Sequence, residues 1–141
     1  MSFDLKIVNG DFVLDSGDLR TVVDSEKLIQ DLLKICITPV GSNPTAPYYG
    51  SYITRSLIGN VDDISESIAQ SQLMSSIQIL KQLQEAQVRS LQSVSPDEQI
   101  NFIKDILINR NEVDPRLFSV QVSVFSKGLK PVTTAFRSST I

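Results

Sequence analysis

The N-terminal stretch of the chain alternates apolar and polar positions. The alternation runs from Phe3 to Ile7 and is followed by Asn9-Gly10, a dipeptide whose two residues accept the positive φ angles of a tight hairpin turn. A second turn is predicted at Asp15-Ser16-Gly17-Asp18, and a short strand is predicted from Leu19 to Val23. Residues 1–23 are therefore predicted to form a small β-meander.

Helical spacing of apolar residues follows. Asp24 or Ser25 is a suitable N-cap, because either side chain accepts a hydrogen bond from the first turn of a helix. Pro39 ends this first helix, since it disfavours α geometry at Thr38. The apolar stripe of the predicted helix consists of Leu28, Leu32 and Ile35, widened by Ile29, Leu33 and Cys36.

A second and longer helix is predicted from Asp62 or Asp63 to about Leu91. Its apolar positions are Ile64, Ile68, Leu73, Ile77, Leu80, Leu83 and Leu91. Its other face is polar but weakly charged, with Gln70, Ser71, Gln78, Gln82 and Gln87. Such a face is either solvent-exposed or forms a wet contact with another protein, and the sequence leaves both interpretations open.

A third helix is predicted from Ser95 to about Asn109. Ser95 is a good N-cap, Pro96 suits the first helical position, and Glu98 completes a capping box. The inward positions of this helix are predicted to be Ile100, Ile103, Ile106 and Leu107.

The remainder of the chain predicts β structure. Pro115 cannot continue a helix and favours extended geometry at Asp114, so a corner is expected there. Pro131 has no N–H group, which places the last strand at a sheet edge. One face of the two predicted strands is formed by Phe118, Val120, Val122, Val124, Val132, Thr134 and Phe136.

The predicted fold class is α+β. A β-meander over residues 1–23 precedes a helical middle over 24–112, and a corner with a C-terminal β-hairpin occupies 113–141. With 141 residues, the chain is expected to form one domain. No internal repeat or second-domain boundary is expected.

The loop from Thr38 to Tyr52 has an unusual composition. It contains three prolines, two glycines and all three tyrosines of the chain, Tyr48, Tyr49 and Tyr52. These rings either cover the core of a compact loop or form a rigid platform facing a partner, because tyrosine buries a large area at low entropic cost. The three tyrosines are therefore candidate interface residues.

Composition excludes several kinds of function. The chain has no histidine, so neither a Ser-His-Asp triad nor a histidine-ligated zinc site can form. The net charge of −3 gives no bulk electrostatic argument for nucleic acid or an anionic membrane. Cys36 is the single cysteine and is expected to be a buried thiol. No cofactor, metal, transmembrane helix or signal peptide is expected.

Carboxylates are the remaining candidates for catalysis. Two pairs are candidates by residue type alone: Asp97 with Glu98, and Glu66 with Glu85. Nothing in the sequence brings the members of either pair together. The chain is therefore expected not to be an enzyme. Asp114-Pro115-Arg116 is either a solvent-exposed corner or a carboxylate and guanidinium pair that clamps a partner.

Three short motifs, in their order along the chain, resemble a known family. They are Thr38-Pro39-x-Gly41, Tyr49-Gly50-Ser51 and Asp114-Pro115-Arg116, the last followed by alternating valines. The chain resembles the sheath-initiator family of contractile phage tails, the lysozyme-like baseplate wedge subunits often called the W protein, which have relatives in type VI secretion baseplates. It departs from the family pattern at Asp114, where a glutamate is usual, and in the length of the stretch from Ile64 to Gln92.

The resemblance implies a structural role in the virion, with synthesis in the cytoplasm of the bacterial host. Asp114, Pro115 and Arg116 would contact the core bundle of the larger baseplate wedge proteins. The C-terminal hairpin would share strands with the sheath protein through the seven face residues from Phe118 to Phe136. The tail tube or hub is a further candidate partner, and several copies would form a six-fold ring. The alternatives are a tail or head adaptor without a sheath role and a carboxylate-dependent glycan hydrolase.

Overall fold

The computed structural model describes residues 3–53, 66–111, 113–114 and 117–137. Its helices are α1 (Asp24–Ile37) and α2 (Glu66–Arg89), with one turn of 3-10 helix at Pro96–Glu98. The short strands are β1 (Asp4–Leu5), β2 (Ile7–Val8), β3 (Asp11–Phe12), β4 (Leu14–Asp15), β5 (Asp18–Leu19) and β6 (Thr21–Val22). The longer strands are β7 (Ile100–Arg110), β8 (Phe118–Ser126) and β9 (Pro131–Arg137).

The N-terminal strands form a closed three-armed unit, so the predicted β-meander is wrong. β2 pairs with β3, β4 pairs with β5, and β1 pairs with β6, all antiparallel. At the centre, the N–H of Lys6 donates to the Arg20 carbonyl, that of Arg20 to the Val13 carbonyl, and that of Val13 to the Lys6 carbonyl, at 2.8, 2.8 and 3.2 Å. We call residues 4–23 the trefoil.

The trefoil corresponds to an internal repeat, so the expectation of no internal repeat is wrong. Three segments of seven residues begin at Asp4, Asp11 and Asp18, and the third residue of each belongs to the central ring of hydrogen bonds. The predicted turns are confirmed: Asn9-Gly10 and Ser16-Gly17 have positive φ angles, as their hairpins require.

The first helix has the predicted extent, but its predicted cap is wrong. Its N-cap is Val23, which makes no side-chain capping hydrogen bond. The carboxylate of Asp24 instead accepts a hydrogen bond from the Ser95 hydroxyl at 2.7 Å, a contact between residues 71 positions apart. The predicted start of the second helix, and its apolar residue Ile64, lie outside the described residues.

The predicted third helix is wrong, because the segment forms strand β7. The Ser95 N–H donates to the Glu98 carboxylate at 3.0 Å, as a capping box requires, but the helical turn ends at Glu98. β7 then pairs with β8 along its length, with register irregularities between Ile100 and Phe102 and between Ile103 and Asp105. Each irregularity offsets the alternation of side chains, which explains why the spacing of the isoleucines resembled that of a helix.

The C-terminal part is a three-stranded antiparallel sheet in the order β7-β8-β9. The predicted hairpin is its β8–β9 portion. Both helices pack on one face of this sheet, α1 against β9 and α2 against β7. Within the described residues there are thus two α-helices rather than three, and the architecture agrees with the predicted α+β class only loosely.

Two glutamines of α2 bond the backbone of β7. The Gln84 side chain is buried; its amide donates to the Glu98 carbonyl at 2.9 Å, and its oxygen accepts the Ile100 N–H at 2.8 Å. The Gln70 amide donates to the Ile106 carbonyl at 2.9 Å. These side chains satisfy backbone groups that would otherwise be costly to bury, and they fix the position of α2 relative to the sheet.

Candidate interaction surfaces

The predicted corner lies in the loop between two antiparallel strands, not between a helix and a strand. The Asn111 N–H donates to the Leu117 carbonyl at 2.8 Å, which closes the loop after β7. The Asn111 side-chain oxygen accepts the N–H groups of Val113 and Asp114 at 2.8 and 3.3 Å. Asp114 is therefore held at an exposed loop. Pro115 and Arg116 lie outside the described residues.

The face residues predicted for strand sharing belong to the core of this chain. Each is at most 6% exposed; the set is Phe118, Val120, Val122, Val124, Val132, Thr134 and Phe136. The six apolar members pack in one cluster with the buried residues of both helices, and Thr134 is also buried. Their side chains are therefore already engaged, and a shared strand would have to bind the backbone edge.

Strand β9 provides such an edge. Of the described strands, only β8 pairs with it. The Ser126 N–H donates to the Lys130 carbonyl, and the register continues without a bulge to Arg137. Because hydrogen-bonded and non-hydrogen-bonded pairs alternate along antiparallel strands, the backbone groups of Thr133 and Ala135 point away from β8. Pro131 falls in the same outward set, which confirms its predicted position on an edge strand.

The sheet face opposite the helices is mixed in character. Phe102 and Phe125 stack with their ring centroids 4.9 Å apart, and the Lys104 ammonium lies 6.0 Å from the Phe125 centroid. The Ser123 and Thr133 hydroxyls lie 3.2 Å apart on neighbouring strands. Of these groups, only the Thr133 hydroxyl belongs to β9, and the aromatic pair joins β7 and β8.

The three tyrosines of the loop from Thr38 to Tyr52 differ in burial. Tyr49 packs on the core, and burial, reinforced by the Asp31 charge, raises the pKa of its phenol to about 12. Tyr48 and Tyr52 are 54% and 48% exposed. One ring thus covers the core, and the other two remain candidate interface residues.

The motif residues of this loop have a structural role. The Ser51 N–H donates to the Thr38 carbonyl at 2.8 Å, and the Val40 N–H donates to the Ser51 carbonyl at 3.2 Å. The Ser51 hydroxyl is buried and donates to the Cys36 carbonyl. Cys36 is buried as predicted, and burial raises the pKa of its thiol to about 12. The base of the loop is therefore fastened to the end of α1.

The carboxylates considered for catalysis have structural contacts where they are described. Asp97 forms an ion pair with Lys130 at 2.8 Å, and Glu98 accepts the Ser95 N–H inside the core. Glu85 lies on α2, and the side chain of Glu66 is outside the described set. Within the part of the chain that the structure describes, no group of acidic or cysteine residues is arranged to hold a metal ion, and no helix is long and apolar enough to cross a membrane.

No protein-family model matches the chain, and the search of curated proteins finds no match.

The residues whose side chains join separate elements were not predicted from the sequence. Gln84 follows Leu73, Ile77 and Leu80 on the buried stripe of α2, so a glutamine at a core position was the available signal. The contact between Ser95 and Asp24 gave no local signal, because it joins distant parts of the chain.

Proposed function

We propose that this protein is a structural, non-enzymatic baseplate component of a contractile phage tail or a related injection machine. In this proposal it docks on larger wedge proteins through the Asp114–Arg116 corner and begins the sheath by accepting a strand from the sheath protein. The proposal starts from the resemblance of the motifs at Thr38–Ser51 and Asp114–Arg116.

The available edge of β9 is the observation that carries the proposal. A strand added there would bind outward N–H and carbonyl groups, which is how β-augmentation obtains affinity. The unpaired N–H and carbonyl groups of an edge strand favour aggregation of an isolated protein. A partner strand would pair these groups and remove that tendency. On the face beside this edge, Thr133 is exposed to such a partner.

The first experiment removes a single outward backbone donor. Ala135→Pro deletes the N–H at an edge position, where proline is tolerated because β8 does not use that group. We expect a folded protein that no longer forms a complex with its sheath protein in size-exclusion chromatography. Ala135→Ser keeps the N–H and is the matched control. A proline variant that is folded by circular dichroism and still binds sheath would disprove strand addition at this edge, and Thr133→Pro tests the same edge at a second position.

A second experiment separates wedge docking from sheath binding. Arg116→Ala and Asp114→Ala should each prevent wedge assembly, because they remove charges from a presented pair. Both variants should still bind the sheath protein. Tails of normal number and length from the Arg116 variant, seen by electron microscopy, would refute the docking role of the corner.

A further inference from the structure

A groove lies beside the β9 edge, between that edge, α1 and the β2–β3 hairpin. Its volume is about 1040 Å³, and it is lined by Ala135 on β9, by Leu33 and Ile37 on α1, and by Ile7 on β2. The backbone groups of Ala135 point away from β8. The groove and the β9 edge are therefore parts of one surface.

The groove contains apolar side chains that the core does not cover completely. Ile7 is 38% exposed, and Leu33 and Ile37 are only partly buried at the margin of the core. Leu33 and Ile37 are four residues apart on α1 and so lie on the same side of the helix. Val120 and Phe136 also border the groove, but both are buried and belong to the core. The accessible apolar lining therefore comes from α1 and the hairpin.

The hairpin wall of the groove is held in place by α1. The Gln30 side-chain oxygen accepts the Ile7 N–H at 2.9 Å, and its amide donates to the Leu5 carbonyl at 2.8 Å. Lys34 forms an ion pair with Asp4, so it is a further tie between α1 and the trefoil. The groove is thus formed before any partner arrives, which lowers the entropic cost of binding.

A strand paired with β9 would place its side chains alternately on the two faces of the sheet. The side chains on the helix side would lie beside Leu33 and Ile37, because α1 packs against β9 on that face. Those on the other side would lie beside Thr133 and Ala135, whose small side chains are exposed. Apolar residues are therefore favoured at one set of alternate positions of the added strand, and polar residues are accepted at the other.

We propose that the groove selects the strand that adds to β9, and that this strand is an extended segment of alternating apolar and polar residues. Its apolar side chains face Ile7, Leu33 and Ile37. The inference rests on strand addition in the proposed function and adds the side-chain pattern that the strand must carry. Backbone hydrogen bonds to Thr133 and Ala135 provide affinity for any extended segment, and the apolar lining provides the selection. A helical segment would leave the backbone groups of the edge unpaired.

The test uses the full chain labelled with ¹⁵N and a pair of synthetic peptides with identical composition. Both contain equal numbers of valines and serines between terminal lysines. In one peptide the valines and serines alternate, and in the other they occur in adjacent pairs, so that valines fall equally on both faces of a strand. We expect the alternating peptide to shift the amide resonances of Leu33 and Ala135 saturably. The paired peptide should bind about tenfold more weakly, because half of its valines lie away from the apolar lining.

Threonine variants in the trefoil test the hairpin wall. Ile7 and Leu14 occupy the same position of the seven-residue repeat, and the third repeat has Thr21 there, so threonine is compatible with the trefoil. Ile7→Thr should weaken binding of the alternating peptide about threefold, because it removes apolar surface from the groove. Leu14→Thr is the matched control and should leave binding unchanged, since Leu14 does not line the groove.

Glutamine variants test the wall formed by α1. Leu33→Gln should make the alternating and paired peptides bind nearly equally. Ile29→Gln is the control, because Ile29 lies one turn earlier on α1, is 37% exposed and does not line the groove. It should leave the preference unchanged. Circular dichroism establishes that both variants are folded, and the threonine variants decide the question if Leu33→Gln is not.

Ala135→Pro separates failure of this inference from failure of strand addition. It deletes an outward N–H of the edge and should abolish binding of both peptides. If both peptides bind the wild type equally and Ala135→Pro abolishes both, strand addition stands and selection by the groove is wrong. If the alternating peptide binds Ala135→Pro as tightly as the wild type, both are wrong.

Two further outcomes would overturn the proposal. The first is the absence of saturable shifts at Leu33 and Ala135 with the alternating peptide. The second is movement of the Ala135 resonance when the chain is diluted without peptide, which would mean that a second copy of the chain occupies the edge.

Discussion

The α-carbon of Gly50 lies against the backbone carbonyl of Thr38. Gly50 has φ +121°, and a β-carbon built on it would overlap the Thr38 oxygen. The same oxygen accepts the Ser51 N–H. Thr38 and Gly50, which belong to two separate motifs, therefore contact each other at the base of one loop. This contact leaves no room for a side chain at residue 50.

Gly50→Ala should lower the free energy of unfolding by about 2–4 kcal/mol, because it combines an unfavourable φ with a clash against backbone. Gly41→Ala is the control: Gly41 also has a positive φ of +85°, but a β-carbon there meets nothing within 4 Å. It should cost about 1 kcal/mol. Urea denaturation measures both values, and equal costs would show that the contact with Thr38 is unimportant.

Gln84→Leu should lower the free energy of unfolding by about 2–4 kcal/mol. The change leaves the Glu98 carbonyl and the Ile100 N–H without their side-chain partner in a buried setting, and an unsatisfied buried polar group costs roughly 1–3 kcal/mol. Gln82→Leu, at an exposed position two residues earlier, should change it by less than about 0.5 kcal/mol. The explanation is wrong if Gln84→Leu has the same free energy of unfolding as the wild type in the same urea titration.

Short sequence motifs predicted the turns correctly. Contacts between residues far apart in the sequence determine the conformation of the segments that were predicted wrongly. Asn9-Gly10 predicted its hairpin because the two dihedral angles are set within the turn. β7 was predicted as a helix because Ser95 and Glu98 do form a cap and two register irregularities obscure the strand alternation. Pairing with β8 then determines its conformation, and the sequence around Ile100 carries no sign of that partner.

The candidate sites divide in the same way. The valines after the corner were correctly assigned to one face of a strand, but the pattern did not show that both helices cover that face. The trefoil was missed because β1 pairs with β6 across the whole unit. The position of the β2–β3 hairpin against α1 could not be predicted, since the Gln30 side chain that accepts the Ile7 N–H lies 23 residues away.

Asp4→Asn should reduce the dependence of stability on pH in the acid range. Partial burial disfavours the Asp4 carboxylate, but hydrogen bonds from Lys34 and Gln30 outweigh it, so its pKa is lowered from 3.8. A pKa that is lower in the folded state gives stability above the ordinary value, and this stability is lost as the pH falls through the folded value. The contribution is expected to be about 0.5–1 kcal/mol, because water screens a partly exposed pair.

Urea titrations at about pH 7 and about pH 3 measure this effect by linkage. Asp4→Asn should be less stable than the wild type at the higher pH, and the difference should be smaller at the lower pH. Asp11→Asn is the control, since Asp11 occupies the equivalent repeat position and also accepts the N–H of the next residue, but lies exposed. A stability difference for Asp4→Asn that is the same at both pH values would contradict the assignment.

Val13→Pro should open the centre of the trefoil. It removes the N–H that donates to the Lys6 carbonyl, one of three hydrogen bonds in a closed ring. Since each ring residue both donates and accepts, loss of one bond frees its neighbours to separate. Amide exchange at Lys6 and Arg20 should accelerate about tenfold or more, which corresponds to about 1.4 kcal/mol of lost local stability. Val13→Thr keeps the donor and should leave both rates unchanged.

Exchange at α1 amides distinguishes local opening from global unfolding in this experiment. The Leu32 amide lies in the middle of α1, and its side chain is fully buried, so it should exchange at the wild-type rate if only the trefoil opens. Acceleration at Leu32 equal to that at Lys6 would mean that the trefoil and the core unfold together. Unchanged rates at Lys6 and Arg20 would show that the three arms are held by their hairpins and their contacts with α1, and that the ring adds little.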